Sequence, residues 1–365
     1  MTNSDTQRLS THVELAPGYR ISRIIKGGWQ LAGGHGTVDR ASAIDDMIAF
    51  AQAGVTTFDC ADIYADVEAL IGDFRRTYRE RYGARAAEQV RVHTKFVPDL
   101  GLLASLTPDD VAHAIDRSCQ RLGVDAIDLV QFHWWDYGTP GYLNAALVLR
   151  ELKRMGKIRQ VGATNFDTPH LREMLDVGVP IVSHQVQYSL LDRRAGGAMA
   201  SLCAERGVGM LAFGALAGGF ISERWLGVPE PAEPLENRSL VKYKLIIDEF
   251  GGWTIYQALL KALSLVAARH GVGIGSVAIR WTLDQPAVAA AVVGARHVGH
   301  LADTVAVNTL QLTERDATEL GAVLALARGP EGEVYDLERD RQGAHGRIMR
   351  YNLRQAGTHV PAEGS

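Results

Sequence analysis

The sequence predicts an α/β fold, a (β/α)8 TIM barrel with an extended loop before its last units. Short runs of β-branched residues alternate with longer stretches of helical period along most of the 365 residues. Eight such strand-and-helix repeats are typical of a closed barrel. A doubly wound sheet would place a GxGxxG turn after its first strand. Gly27, Gly28 and Trp29 lack that spacing.

The predicted strands are short and apolar, and they lie at 22–26, 56–58, 90–94, 127–132, 160–163, 181–185, 209–213 and 288–293. Helices are predicted between them, at 42–53, 68–82, 108–122, 143–155, 169–177, 198–206, 256–270 with 276–283, and 300–307. Thr107 and Pro108 begin one helix as N-cap and first-turn proline. Gly54 and Gly207 stand where helices end in a left-handed residue.

Three stretches lie outside the repeat. Residues 222–253 form a long segment with prolines, and such a length predicts a functional loop over a site. Its Lys242 and Lys244 belong either to a clasp over a cofactor or to a solvated helix face. An extra helix is predicted over 313–328. We divide the chain into a polar segment (1–20), one barrel domain (21–328) and a charged, irregular tail (329–365), which crosses a barrel face or meets another subunit.

Composition narrows the partners. Hydrophobic residues make up 47% of the chain, which is enough for a large core, and the net charge is −4. That balance predicts no nucleic-acid or membrane partner, and the polar N-terminus predicts a cytoplasmic location. The cysteines Cys60, Cys119 and Cys203 are odd in number and far apart, which indicates neither a disulfide framework nor a zinc site, and no metal is expected. The oligomeric state stays open.

Four polar residues follow strand-like runs at the start of the barrel. Asp59, Lys95 and His133 each come directly after a predicted strand, and Tyr64 follows Asp59 by five residues. Each alone is equally well explained as a cap, a surface charge, a core histidine or a packed tyrosine. Together they suit carbonyl reduction: a phenol is a poor acid until an ammonium lowers its pKa, and a carboxylate would hold that ammonium in place.

Further segments share the order of a known family. GVTTFDCADIY (54–64), HTK (93–95) and DLVQFHW (128–134) resemble the signatures of the aldo-keto reductase superfamily, and so do VGATNF (161–166), HQVQY (184–188), LAFGALAGG (211–219) and VVGAR (292–296). The resemblance covers roughly residues 21–307. It implies a (β/α)8 barrel that binds a nicotinamide cofactor without a Rossmann domain.

The resemblance also implies roles for individual residues. The catalytic tetrad would be Asp59, Tyr64, Lys95 and His133, with Tyr64 as general acid and His133 donating to the carbonyl. The implied cofactor-binding residues, besides Asp59, are Gly27, Gly28, Trp29, Thr164, Asn165, Gln185, Phe213, Gly214, Leu216, Gly218, Gly294, Ala295, Arg296, His300 and Asp303. The substrate would meet Trp29, Tyr64, His133, Trp134 and Trp135, with Tyr137 nearby. This apolar ring suits aromatic or sugar-like carbonyl compounds.

The adenosine end departs from the family pattern. Arg296 suits a 2′-phosphate, but His300 replaces arginine or glutamine, Asp303 replaces glutamate and Thr304 replaces asparagine. We therefore expect NADPH as the cofactor, with NADH as the alternative. The expected function is NADPH-dependent reduction of an aldehyde or ketone to an alcohol. Two alternatives stay open: a redox-sensing subunit resembling potassium-channel β subunits, and a sugar or aldose dehydrogenase working in the oxidative direction.

Overall fold

Parallel strands form the frame of the molecule. The computed structural model describes residues 10–33, 38–232, 234–294 and 297–353. The strands in these ranges are β1 (His12–Ala16), β2 (Tyr19–Ser22), β3 (Ile24–Gly27), β4 (Thr57–Asp59), β5 (Arg91–Phe96), β6 (Ile127–Phe132), β7 (Ile158–Thr164), β8 (Ile181–Gln187), β9 (Gly209–Phe213) and β10 (Val288–Val293). Strands β3 to β10 pair in chain order, and β10 closes on β3, so the predicted eight-stranded barrel is confirmed.

Helices surround the barrel. They are α1 (Arg40–Gln52), α2 (Val67–Tyr82), α3 (Ala84–Ala87), α4 (Pro108–Leu122), α5 (Tyr142–Arg154), α6 (Thr168–Asp176), α7 (Ala198–Arg206), α8 (Arg238–Phe250), α9 (Trp253–His270), α10 (Ile274–Leu283), α11 (Leu301–Ala306), α12 (Glu314–Leu324), α13 (Asp336–Arg339) and α14 (Ala344–Arg347). Helix α4 begins with a capping box between Thr107 and Asp110, which satisfies two backbone donors of its first turn.

An N-terminal hairpin, which the sequence analysis treated as part of a polar segment, covers one end of the barrel. Strands β1 and β2 pair in antiparallel fashion. Their apolar side chains Leu15 and Ile21 belong to a small cluster with the barrel residues Leu129 and Leu211. A Cβ placed on Gly209, the first residue of β9, would lie 2.6 Å from Leu15. The hairpin therefore closes the end at which the strands begin.

The stretch 222–253 is not a structureless loop, which corrects the prediction. It contains helix α8, whose N-cap Asn237 accepts a hydrogen bond from the Leu240 amide at 3.1 Å. The apolar face of α8 is buried, with Ile246 and Phe250 fully covered. The prolines and glycines that flank this helix in the sequence conceal it.

The tail folds across the opposite end of the barrel, as one of the two expectations for it stated. Helix α12 ends at Leu324, before the predicted boundary, and the chain beyond it carries the short helices α13 and α14. The Arg339 guanidinium donates to the backbone carbonyls of Trp134 and Asn165, which follow β6 and β7. The tail residues 331–353 therefore cover the end at which the strands finish.

Across the four described ranges, no single helix is long and apolar enough to cross a membrane. The sharply bent pair α9 and α10 satisfies that test only jointly, by length and composition.

Candidate active site

An ion pair lies at the centre of the site. Asp59 is the last residue of β4, and Lys95 lies one residue before the end of the neighbouring strand β5. The Lys95 ammonium contacts an Asp59 carboxylate oxygen and donates to the Cys60 carbonyl at 2.9 Å. Because parallel strands finish at the same barrel end, the two side chains meet there. Burial opposes the charge on Lys95, but Asp59 and Tyr64 outweigh it and raise the Lys95 pKa.

Two glutamine side chains hold the other oxygen of Asp59. The amide nitrogens of Gln131 and Gln185 donate to it at 2.8 and 2.7 Å, and Gln185 also donates to the Gln131 amide oxygen at 2.9 Å. Sequence reasoning missed Gln131. The alternation of side chains along a strand could have found it. Leu129, Gln131 and His133 follow one another at intervals of two residues, so their side chains point to the same side of β6. Asp59 therefore accepts hydrogen bonds from three different strands.

Tyr64 lies in the turn between β4 and α2, beside the ion pair. The Lys95 ammonium is 5.2 Å from the Tyr64 ring centroid, and the Trp29 ring meets Tyr64 edge-on with 5.1 Å between centroids. Burial raises the Tyr64 pKa above its usual value, while the Lys95 charge acts in the opposite direction. The phenol is thus protonated at neutral pH, and the Lys95 charge beside it stabilises its phenolate.

A second buried carboxylate supports the turn that carries Tyr64. Glu68 is 1% exposed and accepts hydrogen bonds from the Thr94 hydroxyl at 2.7 Å and from Arg121 at 3.2 Å. Arg121 also donates to the Asp62 carbonyl at 3.1 Å. These contacts tie helix α2 to strand β5 and helix α4, which limits movement of Tyr64 relative to Lys95.

His133 directly follows β6 and is almost fully buried. Its Nδ1 lies 3.2 Å from the Thr164 carbonyl, which can only accept, so the ring proton lies on Nδ1. Burial, and then the Arg339 charge, lower the His133 pKa to about 3. The neutral ring presents a lone pair at Nε2, which is buried and unpartnered among the described residues. The expected donation to a carbonyl therefore requires a second ring proton or the other tautomer.

Only some of the tryptophans predicted to line the substrate pocket lie beside the acid–base residues. Trp135 meets His133 edge-on at 4.3 Å between centroids, and Trp29 contacts Tyr64. Trp134 instead points away from the barrel interior and is buried in the layer outside it. Its indole nitrogen donates to the Asp136 carbonyl at 2.9 Å, and its ring lines a separate cavity with Pro108. Its predicted place in the substrate pocket is corrected, because adjacent residues after a strand face opposite sides.

The residues expected to hold a nicotinamide carboxamide lie at the end of β7, in the position after it, and within β8. The Thr164 hydroxyl donates to the Gln185 carbonyl at 3.0 Å, and Gln185 uses its amide nitrogen on Asp59. Asn165 has a left-handed backbone with φ 59°. Its side-chain oxygen is buried without a partner in the described ranges. An unsatisfied acceptor fits an amide donor, so these residues suit the expected group.

Phe213 and the glycines after it occupy the end of β9. Phe213 is partly exposed, and the Lys242 ammonium is 5.2 Å from its ring centroid. Gly214 and Gly218 have positive φ angles of 81° and 64°, and a Cβ on either would meet Tyr243 within 2.8 Å. The close packing on Tyr243 is by itself enough to require glycine at these two positions. The contact of this turn, including Leu216, with a pyrophosphate therefore stays a prediction.

The remaining predicted cofactor residues lie at two places. Gly27 ends β3, and Gly28 donates its amide to the Asp59 carbonyl at 2.7 Å. A Cβ on Gly294, after β10, would lie 1.9 Å from the Gln30 amide nitrogen, and the Gln30 amide oxygen is buried without a described partner. His300 and Asp303 are exposed. Ala295 and Arg296 lie outside the described residues.

The tail supplies three residues that sequence reasoning missed. The Tyr335 ring meets His133 edge-on at 5.7 Å between centroids. Glu338 is 1% exposed and lies 3.5 Å from Arg194 and 3.4 Å from Lys242. Arg339 binds the carbonyls described above. A charged segment in an irregular tail carries no periodic signal, so the sequence could not place these residues.

Lys242 and Lys244 therefore differ in role. Lys244 pairs with Glu230 and Asp248 at 2.7 and 2.6 Å, so its charge is taken up by surface carboxylates. Lys242 points toward Phe213 and Glu338. In the part of the chain that the structure describes, no group of three or more His, Cys, Asp or Glu side chains is arranged to hold a metal ion.

Comparisons with known proteins agree with this architecture. The model of the Aldo/keto reductase family matches residues 23–325. The chain is 28% identical over 326 residues to the NADH-specific methylglyoxal reductase of Escherichia coli (strain K12), covering 82% of this chain and 93% of that protein. It is 30% identical over 296 residues to aldo-keto reductase str7 of Strobilurus tenacellus, covering 80% and 82% of the two chains.

A solved structure has a similar fold. The glycerol dehydrogenase AKR11B4 from Gluconobacter oxydans superimposes with a TM-score of 0.72 at 23% identity, covering 91% of this chain and 98% of that one.

Proposed function

We propose, because the chain belongs to the aldo/keto reductase family of carbonyl oxidoreductases, that it reduces an aldehyde or ketone to an alcohol with Tyr64 as proton donor. The observation that supports this most is the buried Asp59–Lys95 pair beside the Tyr64 ring. An ammonium at this place stabilises the phenolate that forms when Tyr64 gives up its proton. Beside a tyrosine that only packs against its neighbours, such an ammonium would have no comparable role.

Tyr64 would give its hydroxyl proton to the oxygen of the substrate as negative charge develops there. Lys95 would stabilise the resulting phenolate, and Asp59, held by Gln131 and Gln185, would keep Lys95 charged and aimed. The lone pair at His133 Nε2 would accept a hydrogen bond from a hydroxyl of the substrate or product. Trp29 and Trp135 would exclude water from both flanks.

Members of this family use nicotinamide cofactors, and we propose NADPH for this chain. The cofactor would supply the hydride to the carbonyl carbon. Thr164, Asn165 and Gln185 would hold its carboxamide, and Phe213 would offer a ring face. The proposal of NADPH depends on Arg296, which carries a positive charge suited to a 2′-phosphate. NADH is the competing choice, because an Escherichia coli relative is an NADH-specific reductase.

Replacing Tyr64 tests the proton donor. Tyr64→Phe should lower turnover of a carbonyl panel about a hundredfold or more, the scale of general acid catalysis. Affinity for the nicotinamide cofactor, measured by quenching of tryptophan fluorescence, should be unchanged. Tyr82→Phe, an exposed tyrosine on α2, is the matched control. Full turnover by Tyr64→Phe would reject the assignment.

A titration with both cofactors tests the second half of the proposal. Arg296→Ala should raise the dissociation constant of NADPH about tenfold, since a charge-assisted contact is worth roughly 1.5–3 kcal/mol. NADH binding should not change. Tighter binding of NADH than NADPH by the unaltered chain would replace NADPH with NADH.

A further inference from the structure

A cavity lies on the outer side of Trp135, next to the proposed active site. It has a volume of about 250 Å³, and the β6 loop and the tail form its walls. Trp135, Tyr137 and Tyr351 supply aromatic surfaces, while Arg339 and Arg341 supply positive charge. Because Trp135 contacts His133 at 4.3 Å between centroids, only one indole ring separates the cavity from the proposed acid–base residues.

Among the residues that the structure describes, the two arginines have no acidic partner. Within the described ranges, no carboxylate lies within ion-pair distance of Arg339 or Arg341. Arg339 donates instead to three backbone carbonyls and the Tyr137 hydroxyl, all of them neutral. Its Nε is buried and has no described partner. Partly buried charges are normally paired, so this arrangement favours an anion.

One acidic residue does line the cavity, and its carboxylate is already occupied. Asp136 accepts from the Gly138 amide at 2.9 Å and from the Thr139 hydroxyl at 3.2 Å, within its own turn. The Trp135 indole nitrogen is also buried without a partner among the described residues. The cavity thus has two positive charges and one turn-bound negative charge.

We propose that this cavity binds the carboxylate or phosphate end of a small planar molecule, with Arg341 as the anion-binding group and Arg339, whose terminal nitrogens are already bonded, as a second positive charge beside it. Guanidinium groups bind carboxylate and phosphate in forked geometry. The aromatic walls suit one flat ring, since about 250 Å³ is less than a drug-sized ligand needs. The molecule is either the carbonyl substrate itself, anchored by its anionic end, or a separate organic anion that modulates turnover. The first source rests on the proposed function.

Replacing Arg341 tests the site with little risk to the fold, because this side chain is exposed. The probes are benzoate for binding by calorimetry, and 4-carboxybenzaldehyde against benzaldehyde for turnover. Arg341→Ala should weaken benzoate binding about tenfold. Arg341→Glu should abolish it. Arg347→Ala changes an exposed arginine in α14 of the same tail and is the matched control.

The kinetic arm distinguishes the two sources. If the substrate is anchored here, Arg341→Ala raises KM for 4-carboxybenzaldehyde about tenfold and leaves benzaldehyde unchanged. If a separate anion binds, benzoate changes the turnover of benzaldehyde in the unaltered chain and not in Arg341→Glu. Benzoate binding that is equal in all variants, with no shift in either KM, would overturn the site. Loss of turnover with every aldehyde would reject the proposed function alone, since calorimetry still reports on the cavity.

Discussion

Lys95 and Asp59 form an ion pair in which both side chains are almost completely covered, with 8% and 4% of their surface exposed. Each has further hydrogen bonds: Lys95 to the Cys60 carbonyl, and Asp59 to Gln131 and Gln185. A buried pair is retained at a desolvation cost, and removing one partner leaves the other charge uncompensated. The surrounding hydrogen bonds explain how the charges are tolerated, and Tyr64, the proposed proton donor, lies at the edge of the pair.

Lys95→Met should move alcohol oxidation to higher pH. In the proposed mechanism oxidation needs the Tyr64 phenolate, and without the Lys95 charge burial raises the Tyr64 pKa further. The rise of kcat/KM with pH in the oxidative direction should therefore begin at a higher pH, and the reductive rate should fall because the acid is weaker. Lys157→Met, at an exposed pair with Asp116, is the matched control. An unchanged profile would show that Lys95 does not act on Tyr64.

Gln131→Leu should lower catalytic efficiency without unfolding the barrel. The change removes one donor to the Asp59 carboxylate and the acceptor for Gln185. A hydrogen bond to a charged group is worth roughly 1.5–3 kcal/mol, so we expect a loss of about tenfold or more in kcat/KM.

Circular dichroism spectra and thermal unfolding would check that the fold of Gln131→Leu is intact. Gln160→Leu, near the start of the neighbouring strand β7, changes a glutamine that accepts from Lys153 instead of holding Asp59, and should have little effect on rate. Equal rates for the two variants would remove Gln131 from the site.

Arg194→Met should destabilise the protein by about 3–5 kcal/mol, because it leaves two buried carboxylates without their shared partner. Arg194 is 2% exposed, lies 2.7 Å from Asp192 and 3.5 Å from Glu338, and connects the tail to the loop after β8. The free energy of unfolding in urea measures the effect. Arg193→Met, at an exposed neighbour, should change it by less than about 1 kcal/mol. A loss of similar size in both variants would contradict a specific role for the ion cluster.

Stability should fall as pH drops from 7 to 5. Burial lowers the pKa of His93 to about 4, and that of His133 and His184 to about 3, from an ordinary value of 6.5. The unfolded chain takes up these protons below about pH 6.5, and the folded chain does so only near pH 4 at His93 and near pH 3 at the other two rings. At pH 5 each ring should therefore remove about 2 kcal/mol of stability.

Urea unfolding at several pH values measures that slope. His93→Gln should reduce it by about a third, since one of three rings is removed. His113→Gln replaces an exposed histidine on α4 and should leave the slope as it is. A slope that does not respond to His93→Gln would show that this ring binds protons equally in both states.

The barrel could be predicted where strands are buried on both faces. β6, β9 and β10 have their predicted bounds, since strands of a parallel barrel are covered on both faces and are rich in apolar residues. The hairpin was missed because its buried residues Leu15, Tyr19 and Ile21 are few and are interrupted by exposed Pro17, Gly18 and Arg20. Helix α8 was missed because prolines before it and glycines after it make the whole stretch resemble a loop. Both elements depend on distant partners, which local patterns do not show.

The sequence by itself determined the repeat of strands and helices, and with it the barrel end at which Asp59, Lys95 and His133 gather. Strand order makes that convergence unavoidable, because parallel neighbours all finish at one rim. Only the tertiary structure decided that Gln131 and Gln185 share Asp59, that Trp134 faces away, and that Tyr335 and Arg339 cover His133. The most distant pair, His133 and Arg339, is 206 positions apart in the chain, and no sequence periodicity connects residues at such separations.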